Sequence, residues 1–288
     1  MNFETKKLAS GLYFVATPIG SARDITLRAL DTLASADVIA AEDTRTARRL
    51  MDIHGIPLRD RPMVAYHDHN GEKARPRLLK YLEEGCSVAY ASEAGTPLVA
   101  DPGYHLSVAA IEAGYPVTSA PGPSAMIAAL TIAGLPTDKF LFAGFLPNAK
   151  SARRKALSAV ADTDATLVFY ESPKRLKASL KDMAEIFGEE RKAAVCRELT
   201  KKFEEVARGT LEELASAFSE RTVKGEIVVL VNRVGTKTVD ASSIEDALKE
   251  ALKSNSVKDS ASIVADTFNI ARRDVYQKAL AIAKDAKD

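Results

Sequence analysis

The sequence predicts an α/β protein built as two α/β domains followed by a helical module, and three observations carry that reading. From Leu12 onward, short apolar runs of strand composition alternate with helix-period segments almost without interruption. The alternation restarts after Pro121 and runs through a second stretch of similar length. Beyond Gly235 the composition shifts to small and charged residues with helical spacing. Repeated alternation argues for βαβ units and a parallel sheet with helices on its faces. The expected domains are residues 1–120, 121–236 and 237–288.

In the first domain "LYFVAT" (12–17) reads as a strand leading into the helical "DITLRALDTLASA", and "DVIAA" precedes the helix of "DTRTARRLMDI". The helix expected over 73–84 is followed by the strand "CSVAYA", and "YPVTSAP" (115–121) closes the domain. The second domain opens with "KFLFAGF" and a basic helix over 150–160. "ATLVFYE", a helix over 173–187, "KAAVCREL", "EEVARG" and "GEIVVLVNRV" complete it. The tail reads as helices over 244–252, 260–268 and 271–283, and "SIVADTFNIARRDVYQKAL" has helix-turn-helix spacing with its turn near Asn269.

Composition excludes several classes. A chain of 288 residues with 46% hydrophobic residues can bury sizeable cores. No segment approaches the roughly 18 uncharged apolar residues of a membrane span, and "MNFETKKLASG" lacks the apolar core of a signal peptide, so a cytoplasmic location is expected. Cys86 and Cys196 stand apart from each other and from any Cys/His cluster, which indicates neither a disulfide framework nor structural zinc. Forty Lys and Arg against 39 Asp and Glu leave a net charge of +1, so any nucleic-acid surface has to be local.

Open α/β sheets bind ligands at the carboxyl ends of their strands, and the unusual turns here all follow strands. They are "TPIGS" (17–21), "EDTR" (42–45), "YHDHN" (66–70), "SEAGTPLVADPG" (92–103) and "PGPSA" (121–125). Neither GxGxxG after the first strand nor GxxxxGK[ST] anywhere is present, which argues against a dinucleotide fingerprint and a P-loop. Gly95, Gly103 and Gly122 permit close backbone approach and the adjoining prolines stiffen the turns, as suits a ligand held through main-chain groups.

Three further features each admit two readings. His67 and His69 are two apart, compatible with metal ligation or with a polar site wall, and with no third ligand of matching character nearby no metal is expected. Lys150, Arg153 and Arg154 fall at i, i+3 and i+4 with Lys155 beside them, either a solvated helix face or, with Lys174 and Arg175 of "SPKRLK", a phosphate-backbone track. From Asp240 to Asp288 eight Lys and Arg face nine Asp and Glu, a net of −1, so the tail reads as a nucleic-acid module or as a packing or dimerisation appendage.

The ordered set "VATPIGSARDITLRAL", "AAEDTR", "SEAGTPLVADPGY", "PGPSAMIAAL", "GLPTDKFLFAGFLP", "KSARRKAL", "VFYESPKRL", "CRELTKKFEEVARGTL" and "GEIVVLV" resembles the tetrapyrrole methylase family, the class III S-adenosylmethionine-dependent methyltransferases. The resemblance runs along most of residues 11–233 and is to members that methylate 16S rRNA. It implies two α/β domains with S-adenosylmethionine in the cleft between them and a homodimer. It also implies 2′-O-methylation of a cytidine ribose in the decoding region of 16S rRNA, with that rRNA, free or within the 30S subunit, as partner. Carried over by position, Pro18 borders the cofactor, Ala94, Gly95, Thr96 and Val99 supply the central contacts, and Ser124 and Ala125 approach its methionine part. Tyr170, Glu171, Gly225 and Glu226 close it from the second domain. Glu93 and Ser21 depart from the commoner Asp and Asn of relatives and keep polarity.

The resemblance also places an acidic residue after the second strand and a basic one after the third beside the substrate, here Glu42 or Asp43 and His67. A carboxylate there would orient the 2′-hydroxyl and take its proton, with Arg45 or His67 steadying ribose or phosphate. The plainer reading is that Glu42 and Asp43 cap the helix from Thr44. A corrin-precursor methyltransferase and a non-catalytic RNA-binding assembly factor are the rival functions.

Overall fold

In the computed structural model residues 2–67, 69–100, 102–234, 241–268 and 272–285 are described. The N-terminal half alternates strictly: β1 (Gly11–Val15), α1 (Leu27–Ser35), β2 (Val38–Ala41), α2 (Thr44–Ile53), β3 (Met63–Ala65), α3 (Gly71–Glu83), β4 (Ser87–Ala91), α4 (Tyr104–Glu112) and β5 (Val117–Ala120). These strands form one parallel sheet in the order β3-β2-β4-β1-β5. The central strand β4 is buried along its whole length, so its run of small and aromatic residues has to satisfy both faces. On one face Val15, Ile39, Ala41, Ala89 and Ala91 pack with Leu30, Leu33 and Met51 of α1 and α2. On the other Phe14, Val64 and Tyr90 pack with Leu78, Leu82 and Leu106 of α3 and α4. Side-chain caps set two helix starts: Thr26 accepts the Ala29 N–H at α1, and Asp43 those of Arg45 and Thr46 at α2.

The second half continues with α5 (Ala125–Ala133), β6 (Phe140–Phe145), α6 (Lys150–Val160), β7 (Thr166–Glu171), α7 (Leu176–Phe187), β8 (Lys192–Arg197), β9 (Glu205–Thr210), α8 (Leu211–Ala217) and β10 (Ile227–Val231). Its sheet runs β6-β7-β10-β8-β9, and only β6 and β7 are parallel. The mixed sheet departs from the repeated parallel pattern expected, because β8 and β9 are joined by a loop too short for a crossover helix and therefore pair antiparallel. One face packs Leu167, Phe169, Val195 and Val229 with Leu157, Leu180 and Leu214 of α6, α7 and α8. The other packs Val168, Ala194, Cys196 and Val228 against Ala129, Leu130 and Ala133 of α5, and Ile19 from the loop after β1 joins this cluster. The two sheets form one compact unit, residues 1–233.

Residues 234–288 form a second unit, with the 236/237 boundary falling outside the described residues. Within it α9 (Ala241–Ala251), α10 (Val257–Phe268) and α11 (Arg272–Asp285) share a small core of Ile244, Leu248, Ala261, Val264, Val275 and Ala279. The turn expected at Asn269 lies outside the described residues. Among the described residues no helix is long and apolar enough to cross a membrane.

Candidate active site

The loops after β1 and β4 are stitched together. Thr17 N–H donates to the Gly95 carbonyl (2.9 Å) and Gly95 N–H to the Thr17 carbonyl (3.0 Å), an isolated bridge beyond the strand ends. Thr17 Oγ1 donates to the Ser92 carbonyl (3.2 Å) and Ser92 Oγ to that of Gly95 (2.6 Å). Thr96 Oγ1 then ties the β4 loop to the β5 loop through the Pro123 carbonyl (2.9 Å). The β4 loop is also strained, with Leu98 and Ala100 at φ +71° and +58°, conformations that non-glycine residues keep only where the surroundings enforce them.

These loops form one wall of a cleft of about 600 Å³, and the second sheet forms the other. Every residue expected at the cofactor lines it: Pro18; Ala94, Gly95, Thr96 and Val99; Ser124 and Ala125; Tyr170 and Glu171; Gly225 and Glu226. The sequence reading missed Ile19, Gly20, Thr46, Phe145, Leu199 and Lys201, which line it too, and it noted Glu93 only as a departure from relatives. Lys201 Nζ bridges the carboxylates of Glu198 (2.8 Å) and Glu226 (3.0 Å), which holds its ammonium charge at the cleft and raises its pKa against the opposing pull of burial. Leu199, Thr200 and Lys201 press on Gly20, where a Cβ would sit 2.9 Å from the Leu199 carbonyl oxygen. That contact, and Ser21 N–H donating to Thr200 Oγ1 (3.1 Å), join the two walls.

Glu171 lies at the second wall with its carboxylate fully buried. It accepts from Ser172 N–H (2.7 Å) and Ser179 Oγ (2.5 Å) and pairs with Arg175 (2.7 Å). Arg175 also donates to the Leu146 carbonyl (2.8 Å) and to Asn148, so it clamps the loop after β7 to the loop after β6.

The expected open basic face of α6 needs correction. Arg153 is buried, 7% exposed in its side chain, and pairs with the equally buried Asp182 of α7 at 2.7 Å. Arg154 shares Asp182 (3.1 Å) and also pairs with Glu185. Arg153 and Arg175 therefore serve the fold, because α7 packs against the side of α6 on which Arg153 lies. Lys150, Lys155 and Lys174 stand exposed.

Asp43 and Glu42 have different work. Asp43 accepts from the N–H groups of Arg45 (2.7 Å) and Thr46 (3.3 Å) and pairs with the Arg45 guanidinium (2.8 Å). These bonds, the Arg45 side chain first, hold its carboxyl down at about 2. Asp43 is thus the helix cap, and its exposed partner Arg45 is tied to it. Glu42 reaches sideways instead: its Oε2 accepts the N–H of Glu93, which lines the cleft, at 3.1 Å. His67 and His69 meet edge to face at 6.0 Å, and neither lines the cleft. Among the described residues no three His, Cys, Asp or Glu side chains gather as a metal site.

S-adenosylmethionine fits the donor set on a structural ground. Ser124 Oγ is buried at the cleft with no hydrogen-bond partner among the described residues, and Ser124 opens α5 without capping it. A polar atom buried that way is costly unless a ligand satisfies it. The uncapped helix start beside it offers N–H groups and a partial positive charge to a carboxylate.

Residues 11–215 match the tetrapyrrole (corrin/porphyrin) methylases, and residues 238–283 match the RsmI C-terminal HTH domain. The chain is 50% identical over 244 residues to the ribosomal RNA small subunit methyltransferase I of Mesorhizobium japonicum, covering 84% of this chain and 82% of that one. It is 40% identical over 280 residues to the protein of the same name from Synechocystis, covering 95% and 99%. A solved uroporphyrin-III C-methyltransferase from Thermus thermophilus, in complex with S-adenosylhomocysteine, superposes with a TM-score of 0.54 at 21% identity over 78% of this chain and 98% of that one, a likeness of fold.

Proposed function

Since the chain belongs to the tetrapyrrole (corrin/porphyrin) methylase family, we propose that it methylates small-subunit ribosomal RNA from S-adenosylmethionine. The acceptor in this reading is the ribose 2′-oxygen of a cytidine in the decoding region of 16S rRNA, with the 30S subunit as substrate and a homodimer as the working form. One observation carries it: identity of 40–50% extends through most of the chain to relatives named for rRNA methylation. The solved corrin and porphyrin enzymes, at 18% and 21% identity, are a likeness of fold and do not carry their substrates to this chain.

When bound, S-adenosylmethionine supplies a methyl group already activated on a sulfonium. The chain then has to bind it, hold the acceptor oxygen in line and take a proton late. Ser124 Oγ and the start of α5 would hold the methionine carboxylate, the turn from Ala94 to Thr96 would lie against the ligand at the side-chain-free Gly95, and Tyr170 with Gly225 and Glu226 would close the far side. Tyr170 is fixed for this by edge contacts with Phe142 and Phe145 at 4.9 and 5.6 Å. Glu42 would accept the hydroxyl proton, since Asp43 is committed to α2 and Arg45. Lys150, Lys155 and Lys174 would meet RNA phosphates.

The test is transfer of a labelled methyl group from S-adenosylmethionine to purified 30S subunits, with uroporphyrinogen in parallel, followed by mass mapping of ribose methylation. Label on uroporphyrinogen alone would replace this reading with tetrapyrrole methylation. Absence of calorimetric cofactor binding would leave an assembly factor.

A further inference from the structure

The loop joining β8 to β9, within the motif "CRELTKKFEE", serves the cleft only in part: Leu199 and Lys201 line it, and the residues that follow face solvent. Phe203 is 65% exposed, and the Lys202 ammonium stands 5.5 Å from the centre of its ring. The loop beneath the ring is firmly held. Thr200 N–H donates to the Glu204 carboxylate (2.6 Å), Lys201 Nζ bridges Glu198 and Glu226, and Thr200 Oγ1 receives Ser21 N–H from the opposite wall. Glu198 and Thr200 adopt φ of +52° and +63°. A β-branched residue in that region is a true outlier, and such strain persists only where the surroundings over-determine it. A pinned, strained loop that ends by holding a phenyl ring and an ammonium group in water forgoes the burial that packing alone would favour.

We propose that Phe203 is a stacking platform for an unpaired base of the RNA substrate, flanking the nucleotide whose ribose enters the cleft, with Lys202 on the adjoining phosphate. The proposal rests on the rRNA reading above. Single-stranded RNA is recognised by aromatic faces on which bases stack and by cations along the backbone. Enzymes that act on a base draw it out of its stack, and seating a single ribose in a cleft by the same movement leaves a neighbouring base without a partner. An exposed ring on a firmly held loop, two residues from a cleft-lining lysine, is placed to replace that partner.

The experiment uses the full chain and compares wild type with Phe203→Ala, Phe203→Leu and Phe203→Trp. With 30S subunits as substrate, the Ala and Leu variants are expected to raise KM about tenfold, the scale of one lost base stack, while Trp stays within about twofold. Calorimetric affinity for S-adenosylmethionine stays at the wild-type value in all of them. A single-stranded RNA oligonucleotide carrying 2-aminopurine is quenched on binding wild type but not the Leu variant. Wild-type KM in the Leu variant would overturn the platform, because leucine keeps apolar contact and lacks a flat face. A change of sedimentation mass in the Ala variant would overturn it too, by assigning the ring to contact with a second copy. A wild type that binds S-adenosylmethionine and methylates no rRNA would fail the underlying reading, a result distinct from methylation that ignores Phe203.

Discussion

Thr17 and Gly95 exchange both of their backbone hydrogen bonds, at 2.9 and 3.0 Å, and so fuse the loops after β1 and β4. The main chain of Gly95 is thereby engaged in the fold, and what it offers a ligand is the absence of a side chain. Its φ is +87°, and a Cβ there would lie 3.2 Å from Ile19 Cγ2. Gly95→Val is expected to lower calorimetric affinity for S-adenosylmethionine by at least about tenfold while unfolding stays cooperative, since left-handed strain of this kind costs about 1–2 kcal/mol. Unchanged affinity would move the ligand away from this turn.

Glu42 and Asp43 are neighbours with separable roles. Asparagine is as good a helix cap as aspartate, so Asp43→Asn should keep the turnover rate within about threefold of wild type. Removing a catalytic proton acceptor typically costs about 10²-fold or more, and Glu42→Gln should show that loss in kcat with cofactor affinity within about twofold. A wild-type rate in Glu42→Gln would remove Glu42 from the chemistry.

Asp43 also predicts a pH dependence. Its carboxyl is held below the ordinary 3.8, at about 2, so its ionised form is favoured in the folded chain. That contribution to stability is complete above 3.8 and is lost as pH falls toward 2. Acid unfolding of Asp43→Asn should lose this component between those values. A wild-type acid profile in the variant would show that the Arg45 pair is not kept in solution.

Much of this was legible in the sequence. The strand cores and the α6 helix, at 150–160, follow from apolar periodicity, which local composition sets. The cleft walls followed from motifs whose turns lie at strand ends. Arg153 was misread because i, i+3, i+4 spacing puts it beside Lys150 and Arg154 but cannot say which side α7 covers, and Asp182 comes from another helix. Lys201 and Gly20 were missed for a related reason: each matters only because loops far apart in the chain meet.

The burial of Arg153 separates two effects expected of α6. Arg153→Ala removes one of the two guanidinium partners of the buried Asp182, and because Arg154 remains, the loss should fall below the roughly 3–5 kcal/mol that a wholly unpaired buried charge costs. Denaturant unfolding should show the loss. Lys150→Ala with Lys155→Ala should leave stability near wild type and flatten the salt dependence of 30S binding by up to about 0.7–0.9 in slope per phosphate contact removed. An unaltered slope would make this face a solvated one.

Gly20 tests whether the two walls meet in solution as they do here. A Cβ at this position would sit 2.5 Å from Thr200 Oγ1, 2.6 Å from Lys201 Cγ and 2.9 Å from the Leu199 carbonyl oxygen. The first two atoms belong to side chains that can turn away, and the third is backbone. Gly20→Ala must therefore push the β8–β9 loop off the loop after β1, with an overpacking cost of about 1–3 kcal/mol. It should also weaken cofactor binding, because Leu199 and Lys201 line the same cleft. Adding Thr200→Ala removes the hydroxyl contact but leaves the carbonyl in place, so it should recover only part of the stability and little of the affinity. Full recovery in the double variant would show that the hydroxyl, and not the main chain, sets the spacing. Wild-type affinity in Gly20→Ala itself would show that the walls stand further apart than this contact requires.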